Sequence, residues 1–215
     1  MNLAHKNIAF DVGNVLALFD MNKFIDELFS YNFFPTRERC VSFADKFQHH
    51  NDLGISTMSK ELSLLTDDKL ILQRIVQVWN DSLYFHHKMV ELVHRLKNMQ
   101  ANIIIVSNMG EEHFVKLHQS EPTLFEGNVL EHFSCQVGAR KPQKLFYQSL
   151  YLSMESAGLK TNTPIIFIDD LQVNLDGMVQ YKHCLPYLFN LNKSLALGED
   201  NLDKEINKLY SFLIE

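Results

Sequence analysis

Cysteine is scarce and unpatterned in this sequence. Its three cysteines, Cys40, Cys135 and Cys184, are odd in number, far apart and form no C-x-x-C pair. That argues against a disulfide framework or a thiolate zinc site and fits a reducing compartment. Basic charge is lacking too: 20 Lys and Arg stand against 26 Asp and Glu, for a net charge of -6 and a pI near 5.9. The densest basic group, Arg37 to Arg39, is interrupted by Glu38. A DNA, RNA or anionic-membrane partner has no electrostatic footprint here. No window reaches the roughly 18 apolar residues of a membrane span, and Met1 to Lys6 hold no apolar signal core. Internal repeats and low-complexity tracts are absent. The expectation is a cytoplasmic monomer that binds neither nucleic acid nor membrane. What is present is 46% hydrophobic residues over 215 positions, enough for one substantial core and a small second lobe.

The chain is organised around Lys6 to Leu16. Ile8 to Phe10 reads as a buried strand, broken at once by Asp11 and Gly13. From Met21 to about Asp81 the apolar residues recur at helical spacing, as in Phe24, Ile25, Leu28 and Phe29 or Leu70, Ile71, Ile75 and Val78. This predicts three or four short helices with no strand between them, broken at Pro35-Thr36, Asn51 to Ser56 and Thr66-Asp67. Its aromatic residues, Phe24, Phe47 and Trp79 among them, read as the core of a lid. From His86 onward helices and strands alternate. The predicted strands are Asn102 to Val106, Phe133 to Cys135, Pro164 to Ile168 and Cys184 to Phe189. Gly138 to Pro142 is expected to open a helix, with Pro142 in its first turn. A loop is expected through Glu121-Pro122, and helices over Glu111 to His118, Asn174 to Tyr181 and Leu202 to Leu213. The predicted fold is α/β: a Rossmann-like parallel sheet with helices on both faces, formed by residues 1–19 and 82–215, and a small helical cap over residues 20–81 inserted after the first strand.

In such a sheet ligands bind beyond the carboxyl ends of the strands. Asp11, Ser107, Lys141, Asp169 and Asp170 all fall there, so separated stretches gather in one crevice. Clustered carboxylates need a cation, and oxygen ligands without His or Cys favour Mg2+. Lys141 adds a compact positive charge and Ser107 a hydroxyl donor, a set suited to phosphoryl transfer, with Asp11 placed to attack phosphorus.

The order Asp11-Val12-Gly13-Asn14-Val15, Val106-Ser107-Asn108, Arg140-Lys141-Pro142 and Ile168-Asp169-Asp170, with Asn174 and Gly177 beyond, resembles the four motifs of the haloacid dehalogenase-like (HAD) hydrolase superfamily. Within it the chain is most similar to phosphatases whose first motif reads Asp-x-Gly-Asn, such as bacterial glucose-1-phosphate phosphatases and the N-terminal domain of soluble epoxide hydrolases. The resemblance implies a Mg2+-dependent phosphatase for a small phosphorylated metabolite, a sugar phosphate favoured. Asp11 would be the nucleophile, with Ser107, Asn108 and Lys141 around the phosphoryl group. Mg2+ would be held by Asp11, the Gly13 carbonyl, Asp170 and, directly or through water, Asp169. Most phosphatases of the superfamily carry a second Asp at the Gly13 position as proton donor, and glycine carries no proton. Asp20, His49 and His50 are candidates to replace it, and with Asn14 they are the candidate substrate contacts. Phe19, Phe47 and Asn51 are further contacts by position. Two other readings stay open: a HAD-fold binding or regulatory protein with little turnover, and a metal-independent dehalogenase-type hydrolase, against which Gly13 and the Asp169-Asp170 pair argue.

Overall fold

The structure is a computed structural model describing residues 2–127, 129–181 and 183–215. Strand β1 (Asn7–Phe10) lies at its centre. Beyond it come β2 (Ala17–Phe19), helices α1 (Met21–Ser30), α2 (Arg37–Asp52), α3 (Met58–Leu62) and α4 (Lys69–Asn80), and β3 (Leu83–Phe85). Then follow α5 (His87–Asn98), β4 (Asn102–Ser107), α6 (Glu111–Ser120), α7 (Pro122–Phe125), β5 (Val129–Phe133) and α8 (Ser134–Val137). The chain closes with α9 (Lys144–Ser156), β6 (Ile165–Asp169), α10 (Gln172–Tyr181), β7 (Cys184–Leu188), α11 (Leu191–Ala196) and α12 (Glu199–Ile214).

Five strands form one parallel sheet in the order β5-β4-β1-β6-β7. Ile8 is in register with Ile103 on one side and Ile166 on the other. Side chains alternate across a strand, and here both sides are buried. Ile8, Phe10, Ile103, Ile105, Ile166 and Ile168 pack on the face covered by α5 and α12. Ala9, Ile104, Val106, Ile165 and Phe167 pack on the opposite face, against α9 and α10. This explains the uninterrupted apolar runs in the sequence, since a strand covered on both faces has no polar side. The chain winds outward from β1 through β4 to β5, then crosses back to β6 and β7. The loops after β1, β4 and β6 therefore part at the reversal point and open a crevice.

Helices α1 to α4 enclose a core of their own, built on Phe24, Leu28, Phe47, Met58, Leu62, Ile75 and Trp79. All four of their starts carry side-chain caps: Asp20 accepts from Lys23 N, Thr36 from Arg39 N, Thr57 from Lys60 N, and Asp68 from Leu70 N and Ile71 N. β2 and β3 pair antiparallel beside this layer, Ala17 opposite Phe85. That ribbon has no counterpart in the sequence reading, because each strand is three residues long and its partner lies across the whole helical insert.

Two expected elements are corrected. The strand predicted at Phe133 to Cys135 is Val129–Phe133, and Ser134–Val137 is a helical turn ended by left-handed Gly138 (φ +68). Glu131 and His132 disguised the strand. Glu131 pairs with His118 at 2.7 Å, and His132 is buried between α9 hydroxyls and the Phe146 carbonyl. The helix expected from Gly138 starts instead at Lys144, after a cis Lys141–Pro142 peptide. Residues 138–143 form a turn that faces the crevice. The expected loop at Glu121-Pro122 opens into the short helix α7. Among the described residues no helix is long and apolar enough to cross a membrane.

Candidate active site

Asp11 is the first residue past β1, its N–H still bonded to the Ile168 carbonyl at 2.9 Å. The sheet therefore sets its backbone, and the Val12 N–H, 2.7 Å from Oδ1, sets its carboxylate. Asp169 ends β6 and Asp170 follows it. Oxygens of Asp11, Asp169 and Asp170 lie within 4.8 Å of one another. Lys141 Nζ reaches Asp11 Oδ1 at 2.9 Å and Asp169 Oδ2 at 2.6 Å, and all three side chains are almost wholly buried. Burial pushes the Asp11 carboxyl up, against the pull of Lys141 and with the charges of Asp169 and Asp170 adding to the rise. Burial alone would lower Lys141, but Asp11 and Asp169 together outweigh it, and the ammonium is held charged above its ordinary range.

The two adjacent aspartates are used differently. Asp169 has both oxygens engaged: Oδ2 by Lys141, and Oδ1 by the Leu171 N–H and Asn174 Nδ2, each at 2.9 Å. It anchors the lysine. Asp170 accepts from two side-chain amides, Asn14 Nδ2 at 3.1 Å and Asn190 Nδ2 at 3.3 Å, both on Oδ2, and it faces the cleft. Three carboxylates beside one ammonium leave an excess of two negative charges, and the donors are all oxygens. That set matches a hard divalent cation.

The cleft encloses about 210 Å³. Asp11, Gly13, Asn14, Ser107, Asn108, Lys141 and Asp170 line it. The Ser107 hydroxyl makes a single long bond, 3.5 Å to the Asn108 carbonyl, so it is available to a ligand. Asn108 is engaged with the backbone of the lysine turn. Its amide donates to the Lys141 carbonyl at 3.0 Å and accepts from the Lys141 N–H at 2.7 Å. It clamps the turn that presents the lysine.

The candidate proton carriers fall elsewhere. Asp20 caps α1 and is exposed. His49 accepts a hydrogen bond from Arg140 through Nδ1 at 2.7 Å, and His50 faces Glu61 at 3.6 Å. None of the three lines the cleft; Asp20 sits at the start of α1, and on α2 Phe47 is turned into the cap core and the histidines follow it around the axis. Of the further contacts, Phe19 does line the cleft. Phe47 belongs to the cap core, and Asn51 is bonded to Glu112 instead. Gln48, Asp52, Trp79, His113 and Arg140 complete the lining. Arg140 Nη2 meets Asp52 Oδ2 at 3.0 Å. Burial pushes the Asp52 carboxyl up to about 6, although Arg140 and Lys141 oppose the rise. His113 stacks on Trp79, bonds the Trp79 carbonyl through Nε2 at 2.9 Å, and is pushed down by burial to about 4. The only sequence signal for Asp52 was its four-residue spacing from Gln48, which places both on one helix face.

This parallel sheet, with four motif loops at its carboxyl edge and a helical layer after the first strand, is the HAD-type α/β fold. Among solved structures, a HAD family enzyme from Bacteroides thetaiotaomicron, in complex with magnesium and inorganic phosphate, matches with a TM-score of 0.69 at 17% identity, covering 85% of this chain and 93% of that one. A predicted HAD-like hydrolase from Porphyromonas gingivalis matches with a TM-score of 0.66 at 15% identity over 94% and 99% of the two chains. An L-2-haloacid dehalogenase matches with a TM-score of 0.55 at 14% identity over 82% and 81%. No family model and no curated protein matches the sequence. At these identities the likeness is one of fold.

Proposed function

We propose that this chain is a Mg2+-dependent phosphatase of small phosphorylated metabolites, working through an aspartyl-phosphate on Asp11, with α1 to α4 as its cap. The observation that carries the reading is the group of buried Asp11, Asp169 and Lys141 with half-buried Asp170, whose oxygens call for a divalent cation. Asp11, Asp170 and the Gly13 carbonyl would hold Mg2+, with Asp169 behind them. When bound, the ion neutralises the carboxylates and draws charge from the phosphoryl oxygens. Lys141 orients Asp11 and offers its ammonium to the same oxygens, where stabilising the transferred charge is most of what catalysis requires. Ser107 donates its hydroxyl to the phosphoryl group. Asn14 holds Asp170, and Asn108 holds the Lys141 turn. A cleft of about 210 Å³ suits a phosphoryl group on a short leaving group, and a sugar phosphate is the favoured class.

Phosphate release from p-nitrophenyl phosphate and a panel of sugar phosphates tests this, with Mg2+ or EDTA and with Asp11→Asn as the blank. Turnover is expected with Mg2+ only, and none in the variant. Equal turnover in EDTA or in Asp11→Asn would overturn the mechanism.

A further inference from the structure

Cleaving a phosphate monoester needs a proton for the departing oxygen, and hydrolysing the acyl phosphate that remains needs a base for water. Beside Asp11 the chain offers neither: Gly13 has no side chain, and a Cβ built there meets nothing within 4 Å. The other cleft residues can be taken in turn. Arg140 does not release a proton, and the amides of Gln48, Asn108 and Asn174 do not exchange one usefully. Lys141 is held between two carboxylates. His113 has its Nε2 on the Trp79 carbonyl and is neutral. Asp11 and Asp170 belong to the phosphoryl end. Asp52 is left.

Asp52 is the last residue of α2, with a side chain 4% exposed yet lining the cleft. Its Oδ2 lies 3.0 Å from Arg140 Nη2, itself steadied by His49, yet neither oxygen accepts a hydrogen bond among the described residues. A buried carboxyl paired by charge but with neither oxygen committed to a hydrogen bond, in the same cleft as the nucleophile, has the form of a proton-transfer group.

We infer that Asp52, delivered by the helical layer, is the general acid and base of this active site, a role resting on the phosphatase reading above. In the first step an Asp11 oxygen bonds to phosphorus, the phosphorus–ester oxygen bond breaks, and that oxygen takes the proton from Asp52. In the second, water bonds to phosphorus and gives its proton to the Asp52 carboxylate. The Asp11–phosphorus bond breaks, which restores both residues and releases inorganic phosphate. The groups facing Asp52 are Arg140, Lys141 and, through Arg140, His49. Arg140 is paired with Asp52 by charge and takes no part in the proton transfer.

The experiment compares wild type, Asp52→Asn and Arg140→Gln, each with Mg2+, on p-nitrophenyl phosphate and on a sugar phosphate with a primary alcohol leaving group. Asp52→Asn is expected to lose roughly 10²- to 10⁴-fold in kcat on the alcohol ester. On p-nitrophenyl phosphate it should keep a stoichiometric burst of nitrophenol followed by slow turnover, because bond cleavage there needs no proton while the water step still needs its base. Arg140→Gln, which keeps the acid, should retain a wild-type ratio between the two substrates. Equal losses on both substrates without a burst, or the same pattern in both variants, would reduce Asp52 to a partner of Arg140 and overturn the assignment. Absence of Mg2+-dependent turnover in wild type would instead remove the phosphatase reading, and the role of Asp52 with it.

Discussion

At the scale of single residues the site turns on Lys141, whose ammonium stands among three carboxylates. Its removal acts twice. The transferring phosphoryl group loses a positive charge aimed at it, which lowers kcat by roughly 10²- to 10³-fold. Asp11 and Asp169 are also left buried without a counter-charge, which costs about 3 kcal/mol of stability. Lys141→Met is therefore expected to show both effects, and Mg2+ should recover part of the stability but not the rate. Steady-state kinetics beside urea denaturation, with and without Mg2+, separates the two. A variant with wild-type kcat would contradict the placement of Lys141 at the phosphoryl group. Asp169 and Asp170 show how adjacent, chemically identical residues take different roles. Three donors occupy both oxygens of Asp169, whereas the two side-chain amides that reach Asp170 share one oxygen and leave the other for a ligand.

At the scale of elements, the decisive contact is the one between the C-terminal end of α2 and the start of α6. Asn51 Nδ2 donates to Glu112 Oε2 at 2.8 Å, Glu112 Oε1 accepts from the Met58 N–H at 2.7 Å, and Arg140 spans to Asp52. Backbone approach there is close enough that a Cβ on Gly110 would lie 1.7 Å from Asn51 Oδ1. Gly54, in the left-handed region at φ +69, would place a Cβ 2.6 Å from the Cys135 carbonyl oxygen. Helix α2 is thus seated on the sheet domain by glycines at the contact rather than by apolar bulk. Gly110→Ala is expected to push the end of α2 outward. The overpacking should cost about 1–3 kcal/mol, KM should rise, and because Asp52 moves with the end of α2, kcat should fall more on an alcohol ester than on p-nitrophenyl phosphate. Thermal melts and the KM-against-kcat split check it, and an unchanged melting temperature would show that the contact gives way freely.

At the scale of the whole molecule, the two hydrophobic faces of the sheet and the separate core of α1 to α4 hold their few buried polar groups under strict conditions. His113 is neutral in the fold because burial pushes it down to about 4, against the pull of the Trp79 carbonyl and Glu112. A lowered histidine contributes stability that is complete above its unfolded value, near 6.5, and lost as pH falls toward the folded value. Between pH 7 and pH 4, the stability difference between wild type and His113→Phe should therefore shift in favour of the variant by about 3 kcal/mol. Chemical denaturation of both proteins at each pH measures it. Subtracting the variant removes the opposing contribution of the raised carboxyls, and a difference independent of pH would mean that His113 takes up its proton in the fold as readily as in the unfolded chain.

Some of this was legible in the residues themselves. Apolar runs such as Ile103 to Val106 and Ile165 to Ile168 fit strands covered on both sides, and a polar residue at the end of each run then lies at a sheet edge. The α/β class and the meeting of Asp11, Ser107, Lys141, Asp169 and Asp170 follow from local pattern and chain winding alone. Tertiary packing decided the rest. β5 was hidden by Glu131 and His132, whose polarity is satisfied by partners on other elements. The β2–β3 ribbon depends on pairing across an insert far longer than itself. Which face of α2 looks into the cleft is set by how Phe47 seats in the cap core and how α2 rests on Gly110. A helix turn of that kind places Asp52 beside Arg140 and carries His49 and His50 away, and no short-range pattern in the sequence records the angle.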